Sequence, residues 1–399
     1  MAEMTERQRQ VDAVPIRVAS ARSVSLLVIA ILLFASGCSG FFVYPGSTGG
    51  GGGNTTGDYV YVANSSATSS NPSLAGFAVG TGTLTAVANS PYTLTVTPVA
   101  LAVNPANSVL YVATNSGIYA YAIQSTGALS VLNSGSPVAT ALVASMDISP
   151  DGQWLLALDK TVSANGGAID EYRINTSTGA LTPQTFTYTI SGTPNPLAIK
   201  ISSNAQFVFA ALGTAGELVL PFNTASGALT SYTQFAPPPG TSDSALAVDA
   251  SAAYLYIARS GTNGGLAVYA IGSGGALAAV SGSPFAASKQ PAVERSVVLN
   301  KAGTAVYIAN ASDGTISGFS IGTLGALTPL GGSPYTAGSQ VTALSLDNSG
   351  NYLLSLAQGG SPDLALYSFD ATTTGKLNLA ASTATGTDPT LAVAIAATH

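Results

Sequence analysis

From residue 58 onward, short apolar segments alternate with clusters of glycine, asparagine, serine and proline. The apolar segments are rich in valine, isoleucine, tyrosine and alanine. None shows the sustained spacing of apolar and polar residues that is typical of an amphipathic helix. Helix start and stop signals are also missing from these segments. Short β-branched and aromatic runs between turn residues are typical of β-strands, so the pattern predicts an all-β protein.

Three sequence signatures recur at intervals of 45 to 52 residues, measured between successive Gly-x-Leu motifs. The Gly-x-Leu motifs begin at Gly82, Gly127, Gly179, Gly227, Gly275, Gly325 and Gly375. Segments resembling YVYVAN occupy 59–64, 109–115, 154–159, 207–212, 254–259, 305–310 and 352–357. Apolar runs ahead of a turn occupy 100–105, 145–152, 197–204, 245–251, 297–303, 343–350 and 390–396. A further strand-like segment follows each YVYVAN-like segment, so every repeat holds four strands.

A period near 50 residues with four strands per unit is the signature of a β-propeller blade. The sequence therefore predicts a seven-bladed propeller over residues 58–399, with four antiparallel strands per blade. The domain starts on a second strand at Tyr59 and ends on an inner strand. We expect a closing blade made of Leu391–Ala396 and Tyr59–Ala88, which joins the two ends of the chain and removes the open sheet edges.

The repeats also carry a family resemblance. The motifs SPDGxxL (149–155), YVAN (61–64) and GALT resemble the YVTN-type repeats of the seven-bladed lactonase family, which includes 6-phosphogluconolactonase-like enzymes. The resemblance implies a site of His, Arg and Glu side chains at the top of the central channel. Arg295 matches the family's arginine, Ser296 stands where the family has histidine, and the family's glutamate has no clear counterpart.

The N-terminal region has the layout of an export signal. A basic segment is followed by the apolar run Val24–Ala35, which is too short to span a bilayer, and then by small residues before Cys38. Cys38 resembles the lipidated cysteine of a bacterial lipobox. We expect a lipoprotein signal peptide over 1–37, a glycine-rich tether over 38–57, and a membrane-anchored protein of the outer membrane or periplasm. The alternative is an ordinary cleaved signal with an incidental cysteine.

Composition excludes several classes of function. The chain has one cysteine and one histidine, which excludes a disulfide framework and sites built from several Cys or His zinc ligands. Only 12 of its 399 residues are Lys or Arg, which argues against a nucleic-acid surface. We expect no metal, no cofactor and a monomer. With four Arg and three acidic residues in 1–37, the remaining chain has eight basic and 15 acidic residues, a net charge of −7.

The candidate site residues fall into two groups. Strand order places four cations and a carboxylate on the top face of the propeller, where we expect a small anionic or sugar-like ligand, a glycan or a protein to bind; scattered surface charge is the alternative. These residues are Lys160, Arg259, Lys289, Glu294 and Arg295. Arg259 and Arg295 lie in consecutive loops and would suit a carboxylate or phosphate.

The second group consists of Asp147 and Lys200, which share a repeat position on consecutive inner strands. They are expected to form an ion pair, face water in the channel, or contact a ligand there.

Three functions remain open from the sequence. The missing histidine and glutamate favour a non-catalytic binding module. The alternatives are a lactonase-type hydrolase in which Arg295 stabilises an oxyanion, and a structural protein of the cell envelope.

Overall fold

The computed structural model describes residues 57–65, 71–163, 166–290, 292–360, 362–386 and 392–399. The predicted signal peptide, the tether up to residue 56 and Cys38 lie outside these residues. No helix among the described residues has the length and apolar composition needed to cross a membrane.

The described residues form seven antiparallel sheets, which confirms the predicted all-β propeller with seven blades. The chain begins in the closing blade, with β1 (Tyr59–Asn64), β2 (Ser73–Gly80), β3 (Thr83–Ala86) and β4 (Tyr92–Thr93). Blade 1 contains β5 (Pro98–Val103), β6 (Val109–Thr114), β7 (Gly117–Ile123) and β8 (Leu129–Val131). Blade 2 contains β9 (Val143–Ile148), β10 (Trp154–Asp159), β11 (Gly166–Ile174) and β12 (Leu181–Thr189). Blade 3 contains β13 (Ala198–Ile201), β14 (Phe207–Ala211), β15 (Glu217–Asn223), β16 (Ala228–Leu229) and β17 (Thr233–Phe235).

The other three blades complete the ring. Blade 4 contains β18 (Thr241–Val248), β19 (Tyr254–Gly261), β20 (Gly265–Ile271) and β21 (Leu277–Ala279). Blade 5 contains β22 (Glu294–Leu299), β23 (Ala305–Asn310), β24 (Thr315–Ile321), β25 (Leu327–Pro329) and β26 (Tyr335–Thr336). Blade 6 contains β27 (Val341–Leu346), β28 (Tyr352–Ala357), β29 (Leu364–Phe369) and β30 (Leu377–Thr383). Single 3-10 turns lie at Asn133–Gly135, Ser273–Gly275 and Thr323–Gly325.

The ring closes as predicted. The last strand, β31 (Ala392–Ala397), pairs antiparallel with β1 and becomes the inner strand of the closing blade. Leu391, the first residue of the predicted strand, lies outside the described residues. Thr398 Oγ1 accepts a hydrogen bond from the Tyr59 backbone N–H at 2.9 Å, and the Thr398 N–H donates to the Tyr59 carbonyl at 2.9 Å. Each inner strand packs against the next around the channel.

Adjacent blades are joined by apolar cores and by a repeated hydrogen bond. The second strand is buried along its whole length in three blades, as in YVYVAN, because neighbouring sheets cover both of its faces. A tyrosine hydroxyl on that strand donates to the Gly-x-Leu glycine carbonyl of the following blade, at 3.0 Å for Tyr111 and Gly179. The equivalent bonds join Tyr61 with Gly127 and Tyr307 with Gly375. The first two sequence signatures therefore recur together because they contact each other across the blade interface.

Gly127 shows why this position needs glycine. Its φ angle is +75°, in the left-handed region, and a Cβ atom there would lie 2.3 Å from the ring of Tyr59. Only a residue without a side chain allows the turn of one blade to approach the aromatic ring of its neighbour.

Candidate functional site

The start of the inner strand carries a β-bulge in six of the seven blades. In blade 5 the register passes from Glu294 opposite Asn310 to Ser296 opposite Ala309, so Arg295 has no partner in the ladder. A bulge turns its extra residue away from the regular alternation of the strand. The residues at this position are Val99, Ala144, Ser244, Arg295, Thr342 and Val393.

Arg295 lines a pocket of about 520 Å³ at the top of the ring, between blade 5, blade 6 and the closing blade. Its side chain is exposed and forms no hydrogen bond or ion pair with any described residue. The polar residues around it in the pocket wall are Ser312, Gln340, Thr342 and Gln358. Thr342 Oγ1 is buried and has no hydrogen-bond partner among the described residues. The pocket thus combines one free cation with neutral hydrogen-bonding groups.

Glu294 lies beside Arg295 in sequence but points elsewhere. Its side chain is fully buried and accepts a hydrogen bond from Ser288 Oγ at 2.7 Å, while Oε2 has no partner among the described residues. Burial raises the pKa of Glu294 to about 7, and Asp313 contributes a smaller increase. Glu294 is not part of the pocket wall, so the structure does not place it with Arg295 around one ligand.

The peptide between Glu294 and Arg295 is held from the preceding blade. Its carbonyl oxygen accepts hydrogen bonds from Ser244 Oγ at 2.7 Å and Ser260 Oγ at 3.2 Å. Two hydroxyl donors therefore fix the backbone from which the Arg295 side chain extends.

Arg259 occupies a different environment from Arg295, contrary to the expectation that the two would share one open site. It lies at the end of the second strand of blade 4, where the ladder pairs it directly with Asp243, and it is buried. Arg259 Nε and Nη2 contact the two carboxylate oxygens of Asp243 at 2.5 and 2.6 Å, and Nη1 donates to Tyr269 Oη at 3.1 Å. Its guanidinium is fully engaged and is not available to a ligand.

A third ionisable residue joins this pair from blade 3. Glu217 is buried, hydrogen-bonds with Asp243, and keeps Oε1 without a partner among the described residues. Burial, and then the neighbouring Asp243, raise the pKa of Glu217 well above its usual value. Burial lowers the pKa of Arg259, but the Asp243 carboxylate offsets this and holds it above its usual range. The cluster therefore combines two carboxyl groups, one of which has a raised pKa, with one guanidinium.

The remaining predicted residues are separate from the pocket. Lys160 and Lys289 are exposed on loops at the top face, and the Lys289 backbone N–H donates to Asp313 at 2.8 Å. Lys200 Nζ lies 3.0 Å from Asp147 Oδ1, so these residues form an ion pair on the channel wall. Their strands end at the bottom face, where the ring of His399 lies 3.2 Å from the Val103 carbonyl. The single histidine is thus at the opposite mouth from Arg295.

A second groove, of about 510 Å³, lies at the bottom face between blade 6 and the closing blade. Asp58 lines it and accepts hydrogen bonds from the backbone N–H groups of Asn348 and Ser349. Burial and the neighbouring Asp347 raise the pKa of Asp58 to about 6. No group of three or more His, Cys, Asp or Glu side chains in the described ranges is arranged to hold a metal ion.

Comparison with known proteins gives a family match and several structural neighbours. Residues 59–394 match the profile of the family described as "Lactonase, 7-bladed beta-propeller". No curated protein matches the sequence. A Bacteroides uniformis protein assigned as a 6-phosphogluconolactonase aligns with a TM-score of 0.69 at 16% identity, covering 86% of this chain and 99% of its own. A Bacteroides fragilis protein with the same assignment gives 0.68 at 18% identity, covering 88% and 100%.

The periplasmic gluconolactonase of Pseudomonas aeruginosa is a third structural neighbour. It aligns with a TM-score of 0.66 at 16% identity and covers 86% of this chain and 99% of its own. At these identities the three neighbours show a shared fold.

Proposed function

Because the chain belongs to the seven-bladed β-propeller lactonase family, we propose that it is a lactonase-type hydrolase that opens a sugar lactone in the Arg295 pocket. The observation that carries this proposal is the free guanidinium of Arg295, placed on a bulge in the wall of a pocket at the channel mouth. Arginine there matches the arginine that the family resemblance implies.

The chemistry requires a positive group where negative charge develops. A water oxygen attacks the lactone carbonyl carbon, the carbonyl oxygen becomes an oxyanion, and the ring C–O bond then breaks. The ring oxygen takes up a proton and becomes a hydroxyl, and the new carboxylic acid releases a proton. Arg295 donates hydrogen bonds to the oxyanion in the transition state, a kind of contact whose removal typically costs about 100-fold or more in kcat.

The other half of the chemistry is the removal of a proton from water. The described residues of the pocket wall offer amides and hydroxyls but no carboxylate or imidazole, so they orient water without acting as a general base. The group that accepts the proton of the attacking water is therefore not among these described wall residues.

The test is hydrolysis of a panel of aldonolactones, followed as acid release above the uncatalysed rate. Arg295→Gln is expected to lower kcat about 100-fold. The matched control is Lys301→Gln, which also removes one positive charge. Lys301 is exposed on the bottom face, where Nζ donates to the Asn348 carbonyl. Equal rates for Arg295→Gln and the unmodified protein would refute the role of Arg295.

A non-catalytic binding module is the second candidate, and it is favoured because the described residues of the pocket wall include no carboxylate or imidazole. In that case an aldonate or related sugar acid binds in the same pocket without any turnover of its lactone. Calorimetric titration with gluconate then shows binding that Arg295→Gln abolishes and Lys301→Gln retains.

We also propose that the protein is anchored to a membrane through acyl chains on Cys38. The support is sequence alone: a basic segment, a short apolar run and small residues precede the single cysteine. Metabolic labelling with palmitate tests this proposal. Labelling should disappear in Cys38→Ser, and persistent labelling of that variant would contradict it.

A further inference from the structure

The charge of the ligand can be derived from a count of every cation in residues 38–399. There are eight, and all of them lie in the described residues: Lys160, Arg173, Lys200, Arg259, Lys289, Arg295, Lys301 and Lys376. Because the count is complete, the positive charge available to a ligand in the pocket is known for the whole domain.

Five of the eight cations are engaged away from the pocket. Lys200 and Arg259 are paired with carboxylates, and Lys376 lies 3.9 Å from Asp370. Lys301 donates to a backbone carbonyl at the bottom face, and Arg173 donates to Gln153 and lies over the ring of Trp154. None of the five lines the Arg295 pocket.

Two further cations are exposed near the top face without lining the pocket. Lys160 follows strand β10 of blade 2, which does not contribute to the pocket wall. Lys289 is on the loop before β22, where its backbone is tied to the carboxylate of Asp313. Arg295 is therefore the only cation in the pocket wall, within a domain of net charge −7.

We infer that the Arg295 pocket takes an unphosphorylated sugar lactone and discriminates against the 6-phosphorylated form. This inference rests on the proposed function and specifies its substrate class. A phosphate monoester carries a charge of about −1.5 to −2 and three acceptor oxygens, and is bound by clusters of Arg and Lys or by helix N-termini. The pocket offers a single guanidinium, which the lactone carbonyl already uses.

The rest of the wall matches hydroxyl groups. Ser312, Gln340 and Gln358 carry neutral donors and acceptors. Neutral groups of this kind recognise a polyhydroxylated ring without any need for ligand charge.

The test compares glucono-1,5-lactone with its 6-phosphate, which differ only in the phosphate. We expect kcat/KM to favour the unphosphorylated lactone at least tenfold. A preference for the phosphate would overturn the inference and leave the proposed hydrolase in place. If neither lactone is hydrolysed, calorimetric titration with gluconate and 6-phosphogluconate decides. Tighter binding of gluconate supports the inference, although the proposed hydrolase is refuted. Binding of neither compound overturns the inference and the proposed hydrolase together.

A second arm changes the charge of the wall. Gln358→Lys places a second cation beside Arg295 and should shift the ratio of kcat/KM values toward the phosphate by about tenfold. Gln358→Glu, matched in size and opposite in charge, should shift it the other way. An unchanged ratio in both variants would show that wall charge does not select the ligand and would overturn the inference.

Discussion

Glu294→Gln is expected to stabilise the folded protein at alkaline pH and to leave its stability nearly unchanged at pH 4. The Glu294 side chain is fully buried, and Gln has the same shape without an ionisable group. Burial raises the pKa of Glu294 from 4.5 to about 7. The folded protein therefore holds this proton more tightly than the unfolded chain does, and stability is lost as pH rises through 7.

The size of the effect follows from the same values. A pKa of 4.5 in the unfolded chain and about 7 in the folded protein corresponds to about 3 kcal/mol of stability lost between pH 4 and pH 8. Urea unfolding of both proteins at several pH values measures it. The difference between them isolates Glu294, because all other carboxyls titrate alike in both. We expect this difference to grow by about 3 kcal/mol over that range.

Substitutions of two residues near Glu294 test the same explanation. The Ser288 hydroxyl bond lowers the pKa of Glu294 and the Asp313 charge raises it. Ser288→Ala should therefore move the loss of stability to higher pH, and Asp313→Asn to lower pH. If Glu294→Gln changes stability equally at pH 4 and pH 8, Glu294 is not a buried neutral acid and the reasoning fails.

Three further predictions concern the blade interfaces and the site. Arg259→Met should lower the free energy of unfolding by about 3 to 5 kcal/mol because it leaves Asp243 buried and unpaired, and adding Asp243→Leu should recover most of this loss. Equal losses for the single and the double variant in urea unfolding would contradict this. Tyr111→Phe should cost about 1 kcal/mol by the same assay, and no loss would mean that its inter-blade bond is dispensable. Ser244→Ala should lower kcat for lactone opening about fivefold with KM unchanged, because it loosens the backbone that carries Arg295; a change in KM alone would argue against positioning.

The blades were predictable because the same strand pattern recurs in seven repeats. An error in one segment does not alter the count. For example, the YVYVAN-like segment predicted over 109–115 ends at Thr114 in the structure. The closing blade was also predictable, since strand order alone leaves an inner strand at one end of the chain and three strands at the other.

The site was predictable only in part. Repeat alignment predicted that Arg295 and Arg259 lie in one open site, whereas in the structure Arg295 lines a pocket and Arg259 is buried. The two lie on different strands: Arg295 is the bulged residue of an inner strand, whereas Arg259 is on a second strand and is paired in the ladder with Asp243. Bulges depend on hydrogen-bond register, which the apolar pattern does not specify.

Sequence reasoning did not single out Glu217 as a site residue. Its contact with Asp243 joins blade 3 to blade 4, and no repeat signature marks that contact. Asp147 and Lys200 were easier to relate, because equal positions on adjacent inner strands must be neighbours in a ring.

The bulge at the start of the inner strand has a consequence for how such a protein can evolve. At these six positions the residue has no partner in the backbone ladder. A substitution therefore changes the lining of the channel mouth while the flanking residue pairs are kept. A propeller of this kind can therefore change the chemistry of its channel mouth one blade at a time, and the single arginine among valine, alanine, serine and threonine at these positions is an example.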